Sequence, residues 1–426
     1  MNDRADIPGP RSRALAERLR RVESPGVTTL TDDWPIFWER GQGAHIWDVD
    51  GHRYIDLGAA FGVMAIGHGN ARVARAVASQ AATLLHGMGD VHPAAVKVAL
   101  LEALAEVTPA GLDLAILGQN GSDAVEAALK CAALVTGRPG VVAFSGGYHG
   151  LSGMALSVTS RRDFRDPFLP HLAGPVTFLD FPQTVDTAEQ VLADLDRRLR
   201  RRDSGMPPTG AVLVEPIQGR GGVRVAPAGF LTGLRRLCDA HGLMLIADEI
   251  FTGCGRTGRW FAVEHDDVVP DLLCVGKALG GGMPLSACVG GLTSLGRWPK
   301  ADGEALHTST FLGHPGACAA GLAALEELHE RDLVARAATL GRVALDRLSR
   351  LDVVDVRGRG LFLGVALESG DRAFRVVSAA LREGVILLPC GAAGETLSIS
   401  PPLVIDDADL SAAFDILDAC LRSERP

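Results

Sequence analysis

The chain has 426 residues, a formal charge of −9, and is 47% hydrophobic with 22% charged residues. At roughly 100–200 residues per domain this leaves room for two or three domains, or one large α/β domain with an appendage. A chain of this size buries enough core to fold without disulfides or metals. The negative balance argues against a nucleic-acid or anionic-membrane partner, and no apolar run approaches the ~20 residues of a membrane span. The opening Met1-Asn2-Asp3-Arg4-Ala5-Asp6 lacks the charged-then-apolar layout of a signal peptide, so a cytoplasmic protein is expected.

Residues 11–23 read as an amphipathic, arginine-rich helix with a solvated face. Between Gly43 and Leu57 the alternation predicts a hairpin turning at Val49-Asp50-Gly51-His52, where Asp-Gly supplies the positive φ of a tight turn. Apolar runs then predict strands at Leu114–Leu117, Gly140–Phe144, Ala211–Glu215, Met244–Asp248 and Leu272–Val275, with helical patterns between most of them, such as Asp123–Val135 and Gly229–His241. Strands alternating with helices imply a largely parallel sheet covered on both faces, with its chemistry at the carboxyl ends of the strands. The composition of Arg202–Gly210 marks a mobile loop. After a helix near Pro315–Arg331, the runs Leu351–Val356, Leu361–Ala366, Val385–Leu388 and Thr396–Ile399 predict a small second sheet, with helices near Arg372–Glu383 and Asp407–Arg422.

The eight cysteines are scattered without a CxxC pair, and the twelve histidines show no HxxxH or HExxH spacing, so no metal centre is expected. Lysine occurs only at Lys97, Lys130, Lys277 and Lys300, which limits any lysine chemistry to four candidates.

Four segments carry chemistry. Leu117-Gly118-Gln119-Asn120-Gly121-Ser122-Asp123 is a strand, a small-residue turn and a helix start, where the N–H groups of Gly121, Ser122 and Asp123 are free for an anion. A phosphate fits there, and so does ordinary capping by Ser122 or Asp123. Phe144-Ser145-Gly146-Gly147-Tyr148-His149-Gly150 puts an aromatic and an imidazole in a glycine-rich strand exit that a flat ligand can approach. Leu243–Glu249 ends an apolar strand on two carboxylates, which is costly without a cation nearby. Val275-Gly276-Lys277 places a lysine just past another such run, where an apolar setting lowers its pKa and makes it a usable nucleophile. Together they describe a pyridoxal phosphate site.

The sequence resembles the class III (subgroup II) pyridoxal-phosphate-dependent aminotransferases, the group of the 4-aminobutyrate, ornithine and glutamate-semialdehyde enzymes. The likeness runs from about Arg40 to about Leu410, through Trp47–Gly51, Gly67-His68, Tyr148–Gly150, Glu215–Gly219, Asp248–Ile250, Gly276–Leu285, Thr310–Pro315 and Ser400–Leu403. It implies an α/β, fold-type I enzyme: a large domain (66–330) whose mostly parallel seven-stranded sheet lies between helices, and a small α+β domain formed by 331–426 with 1–65. It implies that Lys277 forms a Schiff base with pyridoxal 5′-phosphate, that Asp248 pairs with the ring nitrogen, that Tyr148 and Ile250 sandwich the ring, and that Glu215 sits beside it. Gly121, Ser122 and Asp123 are then at the phosphate, joined by Thr310 of the partner subunit, so the active unit is a homodimer. The implied reaction is a ping-pong amino transfer from an amine or amino acid to a carbonyl acceptor. A racemase, aminomutase or phospho-lyase is the alternative on the same fold, and a non-catalytic regulator lacks its added DNA-binding segment.

Four positions depart from the family pattern. Leu151 stands where 4-aminobutyrate-type members have an arginine for the distal carboxylate. Ser398 stands where many have an arginine for the α-carboxylate, and Arg220 where that arginine's glutamate partner belongs. Phe251 replaces a glutamine that touches the ring hydroxyl. A buried carboxylate without a cation forfeits on the order of 1.5–3 kcal/mol per charged hydrogen bond. Arg220 restores a cation, so it is the candidate substrate ligand; pointing to solvent is its alternative role.

Overall fold

The computed structural model describes residues 7–424 apart from 32, 173, 202 and 301. Its centre is a seven-stranded sheet in the order Leu114–Gly118, Ser286–Gly290, Leu272–Val275, Met244–Asp248, Thr209–Val214, Gly140–Phe144, Val176–Leu179. Ser286–Gly290 runs antiparallel to both neighbours, and every other pairing is parallel.

The period of the strands divides the core into two layers. Val142, Phe144, Val212, Val214, Leu245, Ala247, Leu273 and Val275 pack on one side, with Leu195 and Phe230 from the helices Val185–Arg200 and Phe230–His241. Val141, Ala143, Ala211, Leu213, Met244, Ile246, Leu272 and Cys274 pack on the other, against Val125, Ala128 and Leu129 of the helix Gly121–Thr136. Burial on both faces is why these strands read as unbroken apolar runs.

Two sheet strands went unpredicted. Val176–Leu179 is a half-buried edge of four residues, and Ser286–Gly290 is built from small residues, so neither makes a strong apolar run. At the amino end the first helix covers only Pro10–Leu19, shorter than the expected 11–23. The predicted hairpin forms from His45–Asp48 and Arg53–Asp56, turning at Gly51 with φ +91°. The buried Asp48 carboxylate holds it, accepting from the His52 and Asp50 N–H groups and from Tyr54 Oη. Trp38–Gln42 adds an unpredicted strand to one side, and Val385–Ile386 pairs in parallel on the other.

The second sheet has the order Asp355–Arg359, Phe362–Ala366, Thr396–Ile399, Leu388–Cys390. Here two expectations are corrected. Leu351–Val356 is mostly turn, with Leu351 and Val353 packed against the core, so that apolar run marked burial rather than extension. Val385–Leu388 is not one strand but the whole of Val385–Ile386 and the start of Leu388–Cys390, each in a different sheet. Arg202 of the expected loop lies outside the described residues; 203–208 connects the helix Val185–Arg200 to the strand Thr209–Val214.

Candidate active site

The carboxyl ends of the parallel strands open on a cavity of about 700 Å³. Its lining brings together Gly121, Ser122, Tyr148, Leu151, Glu215, Arg220, Asp248, Ile250 and Lys277, from segments spread over more than a third of the chain.

At the start of the helix Gly121–Thr136 the side chains of Asn120 and Asp123 cap each other's backbone: Asn120 Oδ1 accepts from the Asp123 N–H at 3.2 Å, and the Asp123 carboxylate accepts from the N–H groups of Gln119 (2.8 Å) and Asn120 (3.3 Å). Asp123 is therefore committed to the cap and does not line the cavity. The Gly121 and Ser122 N–H groups remain without a partner among the described residues, and both residues line the cavity. A Cβ on Gly121 would lie 2.8 Å from Ile250 Cδ1, and one on Gly150 2.1 Å from Ser122 Oγ, so only glycine lets these backbones close around the spot. Two free amides at a helix start suit an anion such as phosphate.

Asp248 ends its strand with 4% exposure. The cation that its burial demands is His149, whose Nδ1 lies 2.7 Å from Asp248 Oδ2; Asp248 Oδ1 accepts from the Ile250 N–H at 3.1 Å. Burial by itself would lower the His149 pKa, but the hydrogen bond and charge of Asp248, with Glu215 adding, raise it. The neighbouring Glu249 faces the opposite way and accepts from the Ala262 and Val263 N–H groups at 2.9 and 2.8 Å. It is a structural pin.

Glu215 clasps two strand exits, accepting from the Tyr148 N–H at 2.9 Å and the Gly219 N–H at 3.0 Å. Burial pushes its pKa up to about 7; the His149 charge opposes this and the Asp248 charge adds to it. Lys277 sits at φ +43° just past its strand. Burial pushes its amine down to about 8, against the pull of Asp248 and Glu215 and with the repulsion of Arg220. A lysine near neutrality is a nucleophile and a base at moderate pH.

Arg220 stands at the cavity rim with its guanidinium carbon 5.0 Å from the Tyr148 ring centroid and 5.8 Å from that of Phe164. It also walls a smaller pocket of about 380 Å³ with Arg161 and the turn at 390–394. Ser398 and Thr310 do not line the cavity: Ser398 lies in its strand opposite Gly364 and Leu388, and Thr310 is exposed on the segment before Pro315. The residues that sequence reasoning passed over are His149 as the partner of Asp248, the Phe251 ring under the lysine, and the 282–285 loop. His149 had a signal, since a carboxylate ending a buried strand requires a cation; Phe251 and 282–285 had one in the family motifs, which give their place at the cofactor but not the contact of the ring with the lysine.

Residues 28–421 match the class-III aminotransferase family. The chain is 37% identical to a 4-aminobutyrate aminotransferase of Mycobacterium leprae, over 98% of this chain and 97% of the relative. It is 37% identical to an acetylornithine aminotransferase of Methanopyrus kandleri, over 92% and 95%. The solved ornithine aminotransferase of Toxoplasma gondii, described with pyridoxal phosphate partly occupying its active site, superposes with a TM-score of 0.86 at 29% identity, covering 97% of this chain and 94% of that one. The chain belongs to the class-III aminotransferase family. It is an aminotransferase, and pyridoxal phosphate is its cofactor. The free amides at Gly121 and Ser122, the buried Asp248 and the near-neutral Lys277 fit that group's phosphate, ring nitrogen and carbonyl.

The shift at Glu215 makes stability depend on pH. Between about pH 4.5 and 7 the folded protein keeps a proton that the unfolded chain has lost, so this group's contribution to stability falls as pH rises through that window. In the cofactor-free protein, Glu215→Gln should therefore gain about 1–3 kcal/mol relative to the parent between those limits. Chemical denaturation at graded pH measures this, and a pH-independent difference between the two proteins would refute it.

Proposed function

We propose that Lys277 is the residue that links the cofactor and moves the proton in amino transfer. When bound, pyridoxal phosphate supplies a carbonyl that joins amines and a ring that withdraws electrons from the attached carbon. Lys277 Nζ would hold the cofactor through its carbonyl and, when free, would serve as the base for the donor's α-carbon proton. The Asp248 carboxylate, held in place by His149, would meet the ring nitrogen and keep it protonated. Tyr148 and Ile250 would sandwich the ring, the Gly121 and Ser122 amides would hold the phosphate, and Glu215 would flank the ring. The observation that carries this reading is that the chain's one lysine in the cavity has its amine pushed toward neutrality beside a buried Asp248–His149 pair.

The active unit is a homodimer in this reading, with Thr310 of the partner subunit completing the phosphate site. The support is a set of exposed apolar side chains, one of which lines the cavity. Phe61 lines the cavity yet is 61% exposed, and Leu85, Val91, Leu306 and Phe311 are each more than half exposed. The segments near 86 and 311 touch, with the His86 and Phe311 ring centroids 5.3 Å apart. Ala59, Ala60 and Phe61 are all left-handed, with φ of +44°, +49° and +62°, a strain that surroundings must hold in place. A second copy of the chain would cover the patch and brace that segment.

Arg220 is proposed as the ligand of a substrate carboxylate. Among the described residues it forms no ion pair, and it alone walls both the main cavity and the smaller pocket. Leu151 offers no cation at the same rim.

Four experiments test these assignments. Lys277→Ala should leave no borohydride-reducible cofactor link and less than about a hundredth of the activity, whereas Asp248→Asn should keep the cofactor bound and lose the proton-transfer rate. A reducible link in the first, or normal rates in the second, would reassign the roles. Arg220→Ala should raise KM for a carboxylate-bearing donor about tenfold or more and spare a simple amine, and equal effects on both would remove Arg220 from substrate binding. Sedimentation under turnover should find activity only in the dimer. An active, cofactor-loaded monomer would exclude the partner's Thr310 from the site.

A further inference from the structure

The amine of Lys277 meets an aromatic face. Its Nζ lies 4.2 Å from the centroid of the Phe251 ring, and among the described residues no oxygen accepts a hydrogen bond from it and no carboxylate pairs with it. The ring is held there by the backbone around it. A Cβ on Gly62 would lie 2.3 Å from Phe251 Cε2, and one on Gly219 2.8 Å from Cδ1, while Phe362 packs on the ring with centroids 4.3 Å apart. Segments distant in sequence thus leave a slot of one ring's thickness, and a side chain at either glycine would drive the ring off the amine.

An aromatic face carries negative potential and attracts a cation above it, more so when water is excluded. The charged groups that face the amine are Asp248 and Glu215, which favour its ammonium form, and Arg220, which opposes it; His149 stands behind Asp248. None of these touches Nζ. The ring does.

We propose that Phe251 is a positioning residue for amino transfer: its face fixes the Lys277 amine at the cavity floor and favours the ammonium state once the released lysine has taken a proton. This goes beyond the family activity and rests on Lys277 being the cofactor-linking lysine.

The test uses the holoenzyme in its amino form, made by treatment with excess simple amine, in which Lys277 is free. With four lysines in the chain, acylation by acetic anhydride at graded pH can be read on the Lys277 peptide alone by mass spectrometry. Because the ring favours the ammonium, its loss lowers the pH at which half the lysine reacts. Phe251→Leu, and pentafluorophenylalanine installed at 251, should each move that midpoint down by about 0.4–1.5 pH units, with the acid limb of kcat moving alongside. The fluorinated ring keeps the shape and inverts the electrostatics, so a packing role alone would spare it. A midpoint unmoved by the fluorinated ring overturns the proposal. In the cofactor-linked form Lys277 should resist acylation in every variant; reaction there would instead overturn the assignment of the lysine, and the proposal with it.

Discussion

A charge at the end of a buried strand survives only if another charge answers it, and the cavity is organised around that requirement. Asp248 is answered by His149 at 2.7 Å, across 99 residues of sequence. Glu215 has neutral partners, the N–H groups of Tyr148 and Gly219, and burial raises its proton affinity against their opposing pull. Among the described residues Lys277 has no hydrogen-bonding partner, and burial pushes it toward the neutral amine. Three residues at adjacent strand ends thus receive different compensation: Asp248 an imidazole, Glu215 two backbone amides and Lys277 an aromatic ring.

The same strand ends place these groups without any of them being mobile. Each side chain leaves a strand that is packed on both faces, so its backbone cannot shift without disturbing a layer of the core. The glycines do the complementary work. Gly121 and Gly150 let two turns close on the free amides of Gly121 and Ser122, and Gly62 and Gly219 leave the slot for the Phe251 ring. Small residues at these positions exchange local stability for close approach of backbone to ligand.

The rim is built on a different principle. Arg220 is exposed, stands near the rings of Tyr148 and Phe164, and faces two cavities at once. Arg161 on the far wall is already matched by Asp163 at 2.7 Å, so the unmatched positive charge of the rim belongs to Arg220. A cation held beside aromatic rings keeps its orientation while water still reaches it. Under the proposed role of Arg220, binding a carboxylate at such a place costs little desolvation, in contrast to the buried pair beneath it.

Sequence alone determined what depends on neighbours along the chain. The strands Gly140–Phe144, Met244–Asp248, Leu272–Val275 and Thr396–Ile399 have the bounds that their apolar runs predict, and Lys277 and Asp248 are found at strand ends as the polar residues closing those runs. Motif spacing also sufficed for the family, because six or more short segments in order are rarely shared by chance. Tertiary structure decided what depends on neighbours in space. It assigned His149 to Asp248, put Phe251 under the lysine, committed Asp123 to a cap, and split Val385–Leu388 between two sheets. It also supplied the weakly apolar strands Val176–Leu179 and Ser286–Gly290, which are extended because the sheet offers them partners. Hydrophobic period reports how deeply a segment is buried; which groups meet across that burial is set by packing, and no local pattern records it.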